Sequence, residues 1–352
     1  MPDQFFISII IPVHNGGGHL ERCLDALIES SYSSFEIIVV DDCSTDDTVT
    51  IAQQKGVIIR RLSKRSGVSV ARNFGAQHAG GDILLFIDSD ILVKRETIKQ
   101  IADGFQQHAD IAAIFGSYDD EPQEENFISQ YRNLFHHFNH QNSDTEASTF
   151  WTGCGAVRKS VFKEIGGFRD SFMEDIELGY RLRKKGYQIL LDKGLQVKHL
   201  KQWKFLSMLR TDIFKRAIPW SRLILETKFM PKELNLLPSH KVSSVSVALM
   251  ILVVPFLLFG HTKFYNVPVA PAAGFLLSIL FVNFLILNRA LYGFYAQKKG
   301  LWFTAQVIPL HILYYLYSGV SFVACWISYK LFIHRPPYYL VEKQNGSASK
   351  KT

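Results

Sequence analysis

The chain has 352 residues, 47% of them hydrophobic and 13% aromatic, with a formal net charge of +7. That length is more than one ordinary domain uses, and the positive balance suits contact with anionic phosphates or an anionic membrane surface. Nucleic acid is set aside as a partner because no recognisable nucleic-acid module is present, and the 4 cysteines lack metal-ligand spacing, as expected of a reduced, cytosol-facing head.

In chain order, residues 1–4 lead directly into an apolar run at 5–13, so no cleaved leader is expected. Run 5–13 reads as a first strand, stopped by Pro12 and the loop His14-Asn15-Gly16-Gly17-Gly18. Residues 19–30 place Leu20, Cys23, Leu24, Leu27 and Ile28 on one helical face. A second strand at 35–40 ends in Asp41-Asp42-Cys43-Ser44, and Ser44 or Thr45 is expected to cap a helix over 46–54. A third strand (57–62) and a helix (68–79) broken by Gly80-Gly81 follow. Strands alternating with helices imply right-handed crossovers and a parallel sheet. The glycines after His14 do not make a dinucleotide fingerprint, because Glu21 stands where its third glycine belongs.

The central stretch is Gly81-Asp82-Ile83-Leu84-Leu85-Phe86-Ile87-Asp88-Ser89-Asp90. Five consecutive apolar residues read as a buried strand. It delivers Asp88 and Asp90 to the carboxyl end, where open α/β sheets bind ligands. Two carboxylates one residue apart suit a hard divalent cation that shares oxygen ligands with a substrate phosphate; a solvated turn is the bland alternative. A strand at 111–117 and an amphipathic helix at 124–139 come next, with His136, His137 and His140 expected on a polar face. The small residues of Thr152-Gly153-Cys154-Gly155-Ala156 suit close approach of backbone to another group, with Cys154 expected to pack rather than react. Glu174-Asp175 opens a helix to Lys185, where acidic residues in the first turn suit the helix dipole. His199 follows a short strand.

SIIIPVHN, IIVVDDCSTDDT, SGVSVARNFGAQHAGGDILLFIDSD, TGCGAVRKSVFKEIGGF and MEDIELGYRLRKKGY, in that order, resemble the family 2 glycosyltransferases over residues 5–200. The resemblance implies the GT-A fold, a mostly parallel, Rossmann-like α/β domain that binds a nucleotide-diphosphate sugar. By the same resemblance, Pro12, Val13, His14 and Asn15 line the nucleotide, and Asp41 or Asp42 accepts hydrogen bonds from base or ribose, with capping as the competing role. Arg72 helps hold the nucleotide; the alternative is a solvated surface arginine. Asp88 and Ser89 reach sugar or ribose, and Asp90 binds Mg²⁺ or Mn²⁺ on the diphosphate, with Asp88 and His199 as further ligands. Gly153, Cys154 and Gly155 border donor sugar and acceptor. Asp175 is the expected base of an inverting transfer, with Glu174 as its competitor.

Residues 203–229 alternate basic and apolar side chains as an interfacial helix does. Processive family members carry Gln-x-x-Arg-Trp here; Arg216-Ala217-Ile218-Pro219-Trp220 spreads the Arg and Trp apart and lacks the Gln. Segments 243–260, 267–287 and 301–327 are each long enough to span a bilayer. The first two form a hairpin around His261-Thr262-Lys263; the third either crosses against the positive-inside rule or is partly re-entrant. The expected organisation is a catalytic domain at 1–200, basic interfacial helices at 201–242, membrane helices at 243–329 and a polar tail at 330–352. The expected protein is an integral membrane glycosyltransferase with a cytosolic catalytic domain and a lipid-linked acceptor in cell-envelope glycan or glycolipid synthesis. A processive polysaccharide synthase and an inactive nucleotide-sugar sensor or scaffold are the alternatives.

Overall fold

In the computed structural model the described residues are 5–169, 173–228, 238–258, 263–264 and 267–331. The chain divides into two units, the first ending at Met208 and the second running Leu209–His334.

The first unit opens with β1 (Ile7–Val13), α1 (Gly17–Ile28), β2 (Phe35–Asp41), α2 (Thr48–Gln54), β3 (Ile58–Arg61), α3 (Val68–His78) and β4 (Ile83–Ile87). After the short β5 (Ile91–Leu92) come α4 (Thr97–Gln107), β6 (Ile111–Tyr118), α5 (Phe127–Gln141), β7 (Cys154–Arg158), α6 (Lys159–Glu164), α7 (Glu174–Lys184) and β8 (Gln188–His199). The eight strands form one sheet in the order β3-β2-β1-β4-β7-β6-β8-β5. β3, β2, β1 and β4 are parallel, as alternation predicts. β7 runs antiparallel to both β4 and β6, so the sheet is mixed. β7 was read only as a stretch of small residues: Gly155 shortens its strand signature, yet a Cβ there would lie 2.1 Å from the Trp151 carbonyl oxygen, so the glycine records close packing.

β1 and β4 are wholly buried. The sheet separates two apolar layers, one containing Ile9, Leu24, Leu85, Ile101 and Phe105 and the other Ile38, Phe86, Phe115, Phe162 and Leu178. Alternate residues of β1, β2 and β4 feed opposite layers, as the two-residue pleat requires, and the register shifts between β6 and β8 interrupt that alternation. The expected caps of α2 are replaced: the helix starts at Thr48, and Asp46 Oδ1 accepts from the Thr48 N–H (3.1 Å) and hydroxyl (2.5 Å). α5 is capped by Asn126, whose side chain accepts from Ser129 N–H at 3.0 Å. His137 and His140 are buried rather than on a polar face. Tyr118, Phe115 and Trp151 give that face an aromatic surface to cover, and burial pushes His140 down to about 4.

The expected single interfacial helix is three pieces: α8 (Phe205–Arg210), a π-helical stretch Thr211–Ala217, and α9 (Ile218–Thr227). Asp212 on the π stretch is 3% exposed and accepts the Tyr317 hydroxyl at 2.7 Å, a buried partner that the wider π turn serves. Three further helices are long and apolar enough to cross a membrane: α10 (Pro238–Leu258), α11 (Val269–Leu287) and α12 (Arg289–Leu331). α11 has 19 residues, about 28 Å at 1.5 Å per residue, close to the ~30 Å hydrocarbon core. α12 is interrupted by Gly300 (φ 84°, ψ 170°), which divides it into 289–299 and 301–331. Polar side chains join these helices: Asn288 Nδ2 donates to Ser243 Oγ (3.0 Å), Tyr315 Oη to Asn288 Oδ1 (3.1 Å), and Asn283 Nδ2 to Ser246 Oγ (3.3 Å). In a bilayer such bonds hold helices together where apolar contact alone cannot. The expected hairpin tip His261-Thr262 and the polar tail from 332 lie outside the described residues.

A chain truncated after Lys241 is expected to lose integral membrane behaviour while the basic side chains of α8 and α9 retain a salt-sensitive attraction to anionic vesicles. Flotation with vesicles at low and high salt measures this; a truncated protein that still needs detergent at high salt contradicts it.

Candidate active site

The site lies where the sheet order reverses, between the carboxyl ends of β1 and β4, the place where open α/β sheets bind ligands. The loops after β1 and β2 are laced together. Asn15 N–H donates to Ser44 Oγ (2.9 Å) and Thr45 N–H to Asn15 Oδ1 (2.8 Å). Gly16 and Gly17 N–H donate to Thr48 Oγ1 (3.0 Å) and Asp46 Oδ2 (3.1 Å). A Cβ on Gly16 would lie 2.6 Å from Val13 Cγ2 and 3.3 Å from Ser89 Oγ, so glycine lets this loop close against the end of β4. His14 Nδ1 bonds the Asp42 carbonyl oxygen at 2.8 Å.

Asp41 and Asp42 are both turned inward. Asp41 Oδ1 accepts from Ser44 N–H (2.8 Å), and its Oδ2 lies 2.9 Å from Arg61 Nε. Asp42 accepts from Ser66 N–H (2.6 Å) and Gly67 N–H (2.9 Å), which anchors the start of α3. Asp42 therefore braces the turn that leads into α3 rather than capping α2.

Arg72 is not a surface cation. Its side chain is 3% exposed; Nη2 donates to Asp88 Oδ1 at 2.7 Å and Nη1 to Glu174 Oε1 at 2.5 Å. One guanidinium thus joins the end of β4 to the start of α7. Asn73 fastens the approach to α7: its Nδ2 donates to the Phe168 carbonyl (2.7 Å), and Phe168 N–H donates to its Oδ1 (2.9 Å). Sequence reading passed over Asn73, though a side-chain amide presenting a donor and an acceptor beside Arg72 is a signal for clasping a backbone. Within α7, Glu177 receives Arg181 through contacts of 2.7–2.9 Å, and Arg181 donates to the Ile165 and Gly167 carbonyls at 2.6 Å.

The two acidic residues at the head of α7 differ. Glu174 is engaged by Arg72. Asp175 is desolvated and feels the negative charge of Glu174, only partly offset by Arg72, and its carboxyl is pushed up to about 7. Cys154 sits in the core opposite Ile87, and burial raises its thiol to about 12, which removes thiolate chemistry and agrees with packing.

On the other side, β5 pairs with the end of β8, Ile91 opposite His199. His199 Nε2 lies 3.4 Å from Asp90 Oδ2. Although burial opposes it, His199 with the nearby Lys201 holds the Asp90 carboxyl below its ordinary value. The Asp90 carboxylate is a donor that Mg²⁺ or Mn²⁺ accepts, and the His199 imidazole beside it offers a nitrogen. Asp88, 36% exposed on its side chain, adds an oxygen on the same turn. Among the described residues no three His, Cys, Asp or Glu side chains converge to hold an ion alone. The donor set fits a cation that takes its remaining ligands from phosphate or water.

Residues 8–166 match the family model described as glycosyl transferase family 2. Glycosyltransferase GlyG of Streptococcus pneumoniae is 31% identical over 117 residues, 32% of this chain and 38% of that protein. The putative teichuronic acid biosynthesis glycosyltransferase TuaG of Bacillus subtilis is 35% identical over 99 residues, 27% of this chain and 39% of that protein. The chain therefore spans about two-fifths of the length of these relatives. The mannosyltransferase PcManGT from Pyrobaculum calidifontis, solved with GDP-Man and Mn²⁺, superposes with a TM-score of 0.57 at 17% identity, covering 92% of this chain and 88% of that one. That likeness is one of fold.

Asn73→Ala removes both bonds to Phe168 and leaves a backbone donor and acceptor to find other partners. It is expected to destabilise the first unit by about 1–3 kcal/mol, read from the denaturant midpoint in detergent. An unchanged midpoint would show that the clasp is not needed.

Proposed function

We propose that this chain, which carries a glycosyl transferase family 2 domain over residues 8–166, moves a sugar from a nucleotide-diphosphate sugar to a lipid-linked acceptor with inversion at the anomeric carbon. The observation that carries the reading is the pairing of two differently tuned carboxylate groups across Arg72: Asp88 with Asp90 at the end of β4, and Glu174 with Asp175 at the head of α7. The first pair belongs to the leaving group. Asp90 and His199, with Asp88 beside them, would hold Mg²⁺ or Mn²⁺, which supplies neutralisation of the departing diphosphate. Pro12, Val13, His14, Asn15 and Ser89 are assigned to the nucleotide side of the site, with Asp41 and Asp42 as the buried braces of its loops.

The second pair belongs to the acceptor. Direct displacement needs the attacking hydroxyl to give up a proton. Asp175, with its carboxyl raised to about 7, is poised to take it near neutral pH. Glu174, held by Arg72, is the anchoring member. Gly153 and Gly155 keep the acceptor border narrow, since each abuts Trp151. The three apolar helices support membrane association, which favours a membrane-borne acceptor, and Arg289, Lys298 and Lys299 support a cytosolic catalytic domain by the positive-inside rule. Relatives such as TuaG, named for teichuronic acid biosynthesis, favour a cell-envelope glycan or glycolipid as product.

A donor screen in lipid followed by acceptor mass analysis tests the reaction class; hydrolysis or transfer of no nucleotide sugar would overturn it. Two sharper outcomes follow from the assignments. Asp90→Ala is expected to abolish turnover, as is excess chelator on the wild type; full activity in chelator removes the metal from the reaction. Asp175→Asn is expected to lower kcat by about 10²–10⁴-fold with nucleotide-sugar affinity kept. Because the base acts as a carboxylate, wild-type kcat/KM should rise with pH through about 7 and that limb should vanish in Asp175→Asn. Normal turnover of this variant, with loss in Glu174→Gln instead, moves the base to Glu174.

A further inference from the structure

His199 is placed by the backbone and aimed by something else. Its strand end is fixed on two sides: Ile91 pairs with it, and Leu200 N–H donates to the Asp90 carbonyl at 2.8 Å. On the β6 side, Tyr118 pairs with Val197, Asp119 N–H donates to the Val197 carbonyl at 2.9 Å, and Lys198 Nζ lies 2.8 Å from Asp119 Oδ2. These bonds set the Cα of His199 but leave its ring free to rotate about two side-chain bonds. The ring orientation coincides with a face-to-face contact: the Tyr118 ring lies 4.5 Å from the imidazole, the planes 14° apart. Tyr118 is itself 8% exposed and receives the Trp151 ring edge-on at 4.8 Å and 84°. The Trp151 ring in turn fills the space beside Gly153, where a Cβ would lie 2.2 Å from Cζ2.

From this arrangement we propose that Tyr118, stacked on the imidazole and packed against Trp151, is a positioning residue that holds the His199 imidazole toward Asp90 and so sets the affinity of the site for a divalent cation. The inference rests on the reading that Asp90 and His199 hold the cation of the proposed transfer. A flat stack restricts ring rotation without competing for the imidazole nitrogens, so a ligand on Nε2 stays available to an ion. The role belongs to the ring face of Tyr118, which Tyr118→Phe preserves and Tyr118→Leu removes. Outer partners of metal-ligating histidines change metal affinity by about 10–100-fold; a stack without a hydrogen bond belongs at the low end.

The test is Mn²⁺ binding to the full chain in detergent, followed by the loss of the free-ion electron paramagnetic resonance signal, with UDP and separately GDP present. Tyr118→Leu is expected to weaken Mn²⁺ binding about tenfold, with Tyr118→Phe near wild type. Because Tyr118 acts through His199, the Tyr118→Leu/His199→Ala double variant should bind no more weakly than His199→Ala alone. A general packing defect would instead weaken the double variant further, and that result overturns the proposal, as does wild-type affinity in Tyr118→Leu. If Tyr118→Leu fails to fold, Tyr118→Met keeps bulk without a ring and is read in the same cycle. His199→Ala binding Mn²⁺ like the wild type sinks the positioning role while leaving the glycosyltransferase reading intact. A wild type that binds no Mn²⁺ with either nucleotide overturns the metal assignment and this role together, yet a positive donor screen would still stand.

Discussion

The Arg72 guanidinium, shared between Asp88 and Glu174, is the contact on which the candidate site of the first unit depends. Its two acceptors come from elements far apart in the chain, and its burial makes the pairing matter. A buried cation that loses a partner leaves an uncompensated charge, which for a fully buried pair costs about 3–5 kcal/mol. The same cation divides its influence unequally between the first two residues of α7, Glu174 and Asp175. Glu174 is bonded to it, whereas Asp175 is left with desolvation and a negative neighbour. One arginine thereby gives two adjacent carboxyl groups different chemistry.

Around that contact the loops are organised by backbone hydrogen bonding. Asp41, Asp42, Asp46, Ser44 and Thr48 spend their side-chain oxygens on N–H groups of neighbouring turns. Short polar side chains do this well because they reach nearby backbone with few rotatable bonds. The result is a set of loops at the ends of β1 and β2 that are braced by hydrogen bonds before any ligand arrives, the condition for electrostatic preorganisation. Asn73 extends the same device to the turn before α7.

The second unit solves a different problem. Its helices expose many large apolar side chains, among them Leu252, Phe275 and Val323, as helices meant for lipid do. Their mutual contacts carry the polar groups instead, with Asn288 bonded to Ser243 and Tyr315. Gly300 breaks the long final helix, which places Lys298 and Lys299 at the end of one segment and the exposed Leu301 and Trp302 at the start of the next. Basic and aromatic side chains together mark membrane–water interfaces.

Much of this was legible in the one-dimensional pattern. β1, β2, β3, β4 and β6, the helices α1, α2, α3 and α5 and the apolar segments follow from periodicity and run length, which are local properties, whereas α4 carries no reading of this kind. The order of the motifs determined the family resemblance, and the abrupt change from apolar to acidic at Ile87-Asp88 pointed to the end of that strand as a candidate site. Tertiary structure decided what depends on partners distant in sequence. It turned Arg72 into a buried bridge, committed Asp41 and Asp42 to backbone, separated Glu174 from Asp175, and buried the histidines of α5. It also inserted β7 antiparallel between β4 and β6. A charge, a ring or a glycine carries no mark in the sequence of which neighbour will desolvate, pair or crowd it, and burial and pairing are properties of contacts between residues that only folding brings together.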